Sequence, residues 1–221
     1  MPDPEPEPTN EPDALTALFT RSEGDFRFAR WGRALAPVIY GTDDAGVALF
    51  ETGLARVATL AGLPIQDLDP ELGANFMVFF VQRWPDLKGI PHLERLIPDL
   101  AKLVDMLGAT GANQYRIFGF DDAGAIRICL TLIRYDDDLQ SIPGAAVAVH
   151  QSLLGMLLWS DTAFLGESPV ARLDNGECVV KPWYGRLLQA AYDPTLPDTA
   201  DDPAFAWRLA GRMQVLAERG T

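Results

Sequence analysis

Between Thr42 and Gly62 the chain carries one uninterrupted helical signal, and it constrains the fold more than any other feature. Thr42-Asp43-Asp44 offers side-chain oxygens to the free amides of a first turn. Val47, Phe50, Leu54, Val57 and Leu60 then recur at three- and four-residue spacing, which lines them along one face, and Gly62 closes the element. A helix this apolar on one side has to lie against something. On one side of it Ala34 to Tyr40, ended by Gly41, reads as a strand, and on the other Phe76 to Val81 reads as a buried strand of aromatic and β-branched residues. Strand, helix, strand predicts a helix packed on a sheet.

The rest of the chain extends that plan. "ALTALFTR" supplies one or two helical turns, Pro64 to Leu68 a short strand, and Pro91 to Leu107 a second helix with Gly108 and Gly111 at its end. Tyr115 to Phe120 and Ala125 to Arg134 form a hairpin across Asp121-Asp122-Ala123-Gly124. A helix opens behind Pro143-Gly144 and runs to Trp159. A small hairpin turns at Asp174-Asn175-Gly176, and helices follow over Pro182 to Ala191 and Pro203 to Arg219. The expected class is α+β, a mixed sheet carrying helices with a helical C-terminal part.

Composition narrows the partners. With 48% hydrophobic residues, 221 positions suffice for one sizeable core, expected over 13–221 behind a Pro/Glu-rich tether at 1–12 that cannot bury enough to fold. No apolar run of about 18 residues exists, so no transmembrane segment is expected. A net charge of −13 excludes phosphate-backbone binding, which needs clustered basic residues; nucleic acid is not an expected partner. Cys129 and Cys178 are too far apart for a CxxC pair; they form one disulfide if the chain is exported and are buried thiols otherwise. The first residues have no signal-peptide pattern, but such tethers follow removed signals and lipid anchors, which leaves the natural start open.

"VHQSLLGMLLWSD", Val149 to Asp161, holds one of the two histidines and sits where a zinc peptidase carries its metal-binding helix. A zincin needs HExxH because residues four apart share a helix face, and the Glu beside the first His polarises the attacking water. Here His150 stands at the first ligand, Gln151 at the base, Leu154 at the second ligand, Leu157 at the glycine and Ser160 at the third ligand. Leu154 has no lone pair and Gln151 accepts no proton at neutral pH, so no metal ligand set and no cofactor is expected.

Several segments in order carry a resemblance. "RWGRALAPVIYG" resembles the first sheet strand of metzincin-type domains, and "ALFETGLARVATLAGLPIQDLDPELGANFMVFFV" their first long helix, short strand, turn and second strand. "GAIRICLTLIR" falls where the substrate-binding strand beside the active helix would be, and Asp161 and "AAYDPTLP" resemble segments of an uncharacterised bacterial family with a degenerate zincin-like fold. Ser168-Pro169-Val170 falls at the methionine turn but lacks its Met. The likeness spans Phe26 to Pro197. It implies a zincin-like mixed sheet with two main helices, and for some relatives a lipoprotein in the cell envelope.

Two functional expectations follow. The first is a non-catalytic binding or structural module of the bacterial envelope, holding a protein or peptide partner between the "IRICLTLI" strand and the His150 helix, with Trp159 lining the cleft. The second is a peptidase-like hydrolase whose candidate catalytic residues are His150, Gln151 and Asp161, or His150 with the Asp136-Asp137-Asp138 run. Arg127, facing Arg116 across the hairpin, is a candidate anion binder, with pairing to local Asp residues as the plainer reading. Neither GxGxxG, a P-loop nor Gly-x-Ser-x-Gly occurs.

Overall fold

A computed structural model describes residues 11–219. The tether expected over 1–12 lies outside them except for Glu11 and Pro12, which already open a helix. The elements are α1 (Glu11–Phe19), β1 (Phe28–Ala29), β2 (Pro37–Tyr40), α2 (Asp44–Ala61), β3 (Phe76–Val81), α3 (Leu93–Leu96), α4 (Leu100–Thr110), β4 (Gln114–Phe120) and β5 (Ile126–Arg134). The second half adds α5 (Asp137–Gln140), α6 (Gly144–Met156), β6 (Val170–Arg172), β7 (Cys178–Val180), α7 (Pro182–Ala191), β8 (Thr199–Ala200) and α8 (Phe205–Arg219).

The fold is α+β. Its main sheet has four strands in the order β2-β3-β5-β4, with β2, β3 and β5 parallel and β4 antiparallel to β5 at one edge. The strand expected at 64–68 contracts to a single parallel bridge between Leu35 and Ile65 beside β2. Short antiparallel pairs join β1 to β8 and β6 to β7.

Side-chain alternation divides the core into two. Phe76 and Val78 of β3 and Cys129 and Ile133 of β5 face α2 and α6, while Met77, Phe79, Val81, Leu130 and Leu132 face α4 and a 3-10 turn at Trp84–Gly89. Helices thus cover both faces of the sheet, and α1, α7 and α8 close around the α2–α6 side.

The helix from Thr42 to Gly62 forms as expected: Asp43 Oδ1 accepts from Gly46 N at 2.8 Å, and Gly62 ends it in the left-handed region at φ 66°. The helix expected over Pro91 to Leu107 is broken in two. Pro98 has no amide to donate and forces Ile97 extended, so α3 stops there and α4 restarts behind Asp99 at φ 59°.

Candidate functional site

The helix bearing His150 is fixed by close backbone approaches. A Cβ on Gly53 of α2 would lie 2.9 Å from Ala148 Cβ of α6, and a Cβ on Gly155 would lie 2.5 Å from the Phe76 ring of β3. Small residues at these crossings bring α6 tight against both its neighbour helix and the sheet. Its C-terminal carbonyls, which have no partner within the helix, are taken by side chains. Trp31 Nε1 donates to Gly155 O at 2.8 Å, Trp159 Nε1 to Leu153 O at 3.1 Å and the Tyr192 hydroxyl to Met156 O at 2.5 Å. Leu157 then leaves the helix and bridges Arg30, so α6 ends three residues before the expected Trp159.

This placement leaves a trough of about 450 Å³ between α6, the start of β4 and the segment leading into the β6–β7 hairpin. Ala146, Val147, His150 and Gln151 line it from the helix, Gln114 from β4, and Phe164, Leu165 and Glu167 from the far wall. Polar groups converge at its inner end. Arg116 Nη2 donates to Gln151 Oε1 at 2.5 Å, and Gln151 Nε2 donates to Gln114 Oε1 at 2.5 Å. The orientation of both amides follows from Arg116: a guanidinium only donates, so it takes the Gln151 oxygen and turns the Gln151 nitrogen onto the Gln114 oxygen. Each amide oxygen therefore already accepts one hydrogen bond, and the groups of the cluster left without a partner among the described residues are donors, Gln114 Nε2 and Arg116 Nε.

The electrostatics agree with that polarity. Burial, helped by the Arg116 charge, pulls His150 down from the usual 6.5 to about 4, so its imidazole is neutral at neutral pH. No hydrogen bond from another described residue holds that ring. Burial raises the neighbouring Cys129 thiol to about 11, against the opposing pull of Arg116. Arg116 itself is lowered by burial yet remains charged, as guanidinium groups do.

The other residues singled out from sequence go elsewhere. Asp161 accepts from Ser22 N at 2.9 Å and from the Ser22 hydroxyl at 2.5 Å, tying the loop after α6 to the loop after α1 rather than assisting His150. Trp159 is buried, stacked on Phe19 with ring centroids 5.5 Å apart, and belongs to the core instead of a cleft wall. Arg127 does not face Arg116, whose register partner is Thr131; it pairs with Glu71 at 2.6 Å, as Arg33 does at 3.1 Å. Asp136 caps α5 and pairs with Arg134 at 3.0 Å. Cys129 and Cys178 are separate, buried free thiols, so the bridge considered for them does not form here. The space between β5 and α6, the groove expected from sequence, is packed with Cys129, Ile133, Leu153 and Met156 because β5 lies inside the sheet and β4 holds its edge.

Gln114 escaped sequence reasoning, and Arg116 was read only as half of a pair with Arg127. Their signal is alternation: residues 114 and 116 share one face of a strand whose other face is apolar.

A cavity of similar size, about 460 Å³, opens near Gly41, Asp43 and Gly144, but its carboxylate, Asp43, is engaged in capping α2. Chemically, the His150 trough offers one neutral imidazole, amide donors backed by the Arg116 cation, Arg172 at its mouth, and a carboxylate, Glu167, that is engaged with Lys181. Zinc does not fit: Leu154 and Gln151 stand at the second-ligand and base positions, and among the described residues no three His, Cys, Asp or Glu side chains converge. No helix of the described residues is long and apolar enough to cross a membrane. Comparison of the chain with family models, with curated proteins and with solved structures returns no match.

Proposed function

We propose that this protein is a binding module on a zincin-like plan from which catalysis has been lost, and that the His150 trough is where it holds a peptide. One observation carries the reading: Gln114 and Gln151, with Arg116 hydrogen-bonded to Gln151 behind them, give an otherwise largely apolar trough a polar inner end, and no metal ligand set converges there among the described residues. Its zincin-like character is supported by the order of strand, helix, strand, hairpin and then the helix bearing His150, with the antiparallel strand at the sheet edge. The peptide assignment is supported by β4, which pairs on one side only and leaves unpaired backbone groups beside the trough for an added strand.

Titrating the protein with a panel of short apolar peptides, followed by amide resonances, tests the binding. Shifts confined to β4, the first two turns of α6 and residues 164–172 are expected, and they should vanish when Ala146→Trp fills the trough. Binding that ignores this substitution, or no binding at all, sinks the reading. The loss of catalysis is tested separately: the purified protein should carry no stoichiometric zinc, and zinc that disappears in His150→Ala would overturn it. Envelope location, implied by the likeness to lipoprotein relatives, is checked by fractionating cells that make the native gene product.

A further inference from the structure

Arg30, Arg116, Arg127, Arg134 and Arg212 each enclose an Nε that has no hydrogen-bond partner among the described residues. In four of these the far end of the guanidinium reaches a carboxylate: Asp198 for Arg30, Glu71 for Arg127, Asp136 for Arg134 and Asp193 for Arg212. Arg116 is different. Its one partner among the described residues is the neutral oxygen of Gln151, in a chain whose acidic residues outnumber its basic ones 31 to 18.

A cation withdrawn from water without a counter-charge is costly, and a free carboxylate from elsewhere relieves that cost. The surroundings select the same kind of ligand. Gln114 Nε2 and the remaining Arg116 N–H groups are donors without acceptors among the described residues, while each amide oxygen already accepts one hydrogen bond. At the mouth Arg172 adds a second positive group, and Glu167 is tied to Lys181 at 2.6 Å. The rim is apolar: Leu165 is 79% exposed and Ile142 42%, beside half-buried Phe164.

We propose that Arg116 receives the carboxylate of the trough's ligand, and that this ligand is an apolar peptide presenting its C-terminal carboxylate. The inference rests on the trough being the peptide site. A carboxylate entering there bonds two Arg116 N–H groups as a fork and takes Gln114 Nε2 as a further donor, while the apolar side chains next to it cover Leu165 and Ile142.

An acetylated leucine tripeptide measures this in three forms: the free acid, the C-terminal amide, and the amide with glutamate as its last residue. The free acid should bind the intact chain about tenfold more tightly than the amide, which corresponds to about 1.4 kcal/mol. Arg116→Gln should abolish that preference, so that acid and amide bind the variant equally. If Arg116→Gln does not fold, the Arg116 Nε–H resonance of the unaltered chain, identified by its loss in Arg116→Lys, should move with the free acid and stay still with the amide. Equal binding of acid and amide, or a preference that survives Arg116→Gln, overturns the role of Arg116 while the peptide site stands. Tight binding of the glutamate form in place of the free acid overturns the C-terminal assignment. Failure of all three forms to bind overturns the peptide site and this inference together.

Discussion

His150 is held neutral by its surroundings, and that has a consequence for stability. Its folded value of about 4 lies below the 6.5 of an unfolded chain, so above 6.5 neither state is protonated and the group contributes nothing to pH dependence. Between 6.5 and about 4 the unfolded chain takes up a proton that the folded one refuses, and stability falls with falling pH, by up to about 3 kcal/mol at the lower end. Urea midpoints at pH 7 and pH 4.5 check this: the unaltered chain should lose about 2 kcal/mol more than His150→Gln over that interval. Equal losses would mean that the ring is freely solvated. At this scale the sequence made His150 conspicuous, because the chain has only two histidines. Arg116 was harder to weigh. An arginine on a strand reads the same whether it points to solvent or under a helix, and a one-residue shift of register exchanges the two faces.

The elements were legible where local chemistry decides them and blurred where tertiary contacts do. The capping of α2 and the hairpin turn at Asp121 to Gly124 are written in neighbouring residues; Asp121 Oδ1 accepts from the amides of Ala123 and Ala125, both at 2.9 Å. The division between α3 and α4 is also written locally, in Pro98, yet reading Pro91 to Leu107 as one helix passed over it. The end of α6 is not written locally, because the side chains that take its last carbonyls include Trp31 and Tyr192, distant in sequence. The same element predicts a contrast between two glycines. Gly155→Ala drives a methyl into the Phe76 ring, fully buried and unable to give, and should cost about 1–3 kcal/mol. Gly211→Ala in α8 meets nothing within 4 Å and should gain about 0.5–1 kcal/mol through helix propensity and a less flexible unfolded chain. Thermal melts of the two variants should move in opposite directions; a Gly155→Ala chain as stable as its parent would mean that α6 is not seated against β3.

At the scale of the whole molecule, the order of elements along the chain was enough to place helices on a mixed sheet, because each apolar face has to be buried against another. It did not decide which strand holds the edge, since "QYRIFGF" and "IRICLTLIR" both alternate or run apolar, and only the assembled sheet puts β4 outside and β5 inside. That difference moved the groove from β5 to β4, and it also decides the fate of the cysteines. Cys129 faces inward from an interior strand, with its thiol raised to about 11, and Cys178 is 1% exposed at the start of β7. A thiol-disulfide reagent attacks only accessible thiolate, so at pH 8 neither group should react in the folded chain. In denaturant without reductant both should react, giving two thiols per chain. Under native conditions with excess reagent the two should be consumed together at the rate of global opening, because exposing Cys129 requires separating α6 from the sheet. Zero thiols in denaturant would reveal a bridge between them, whereas one fast thiol in the native protein would show the hairpin carrying Cys178 opening on its own.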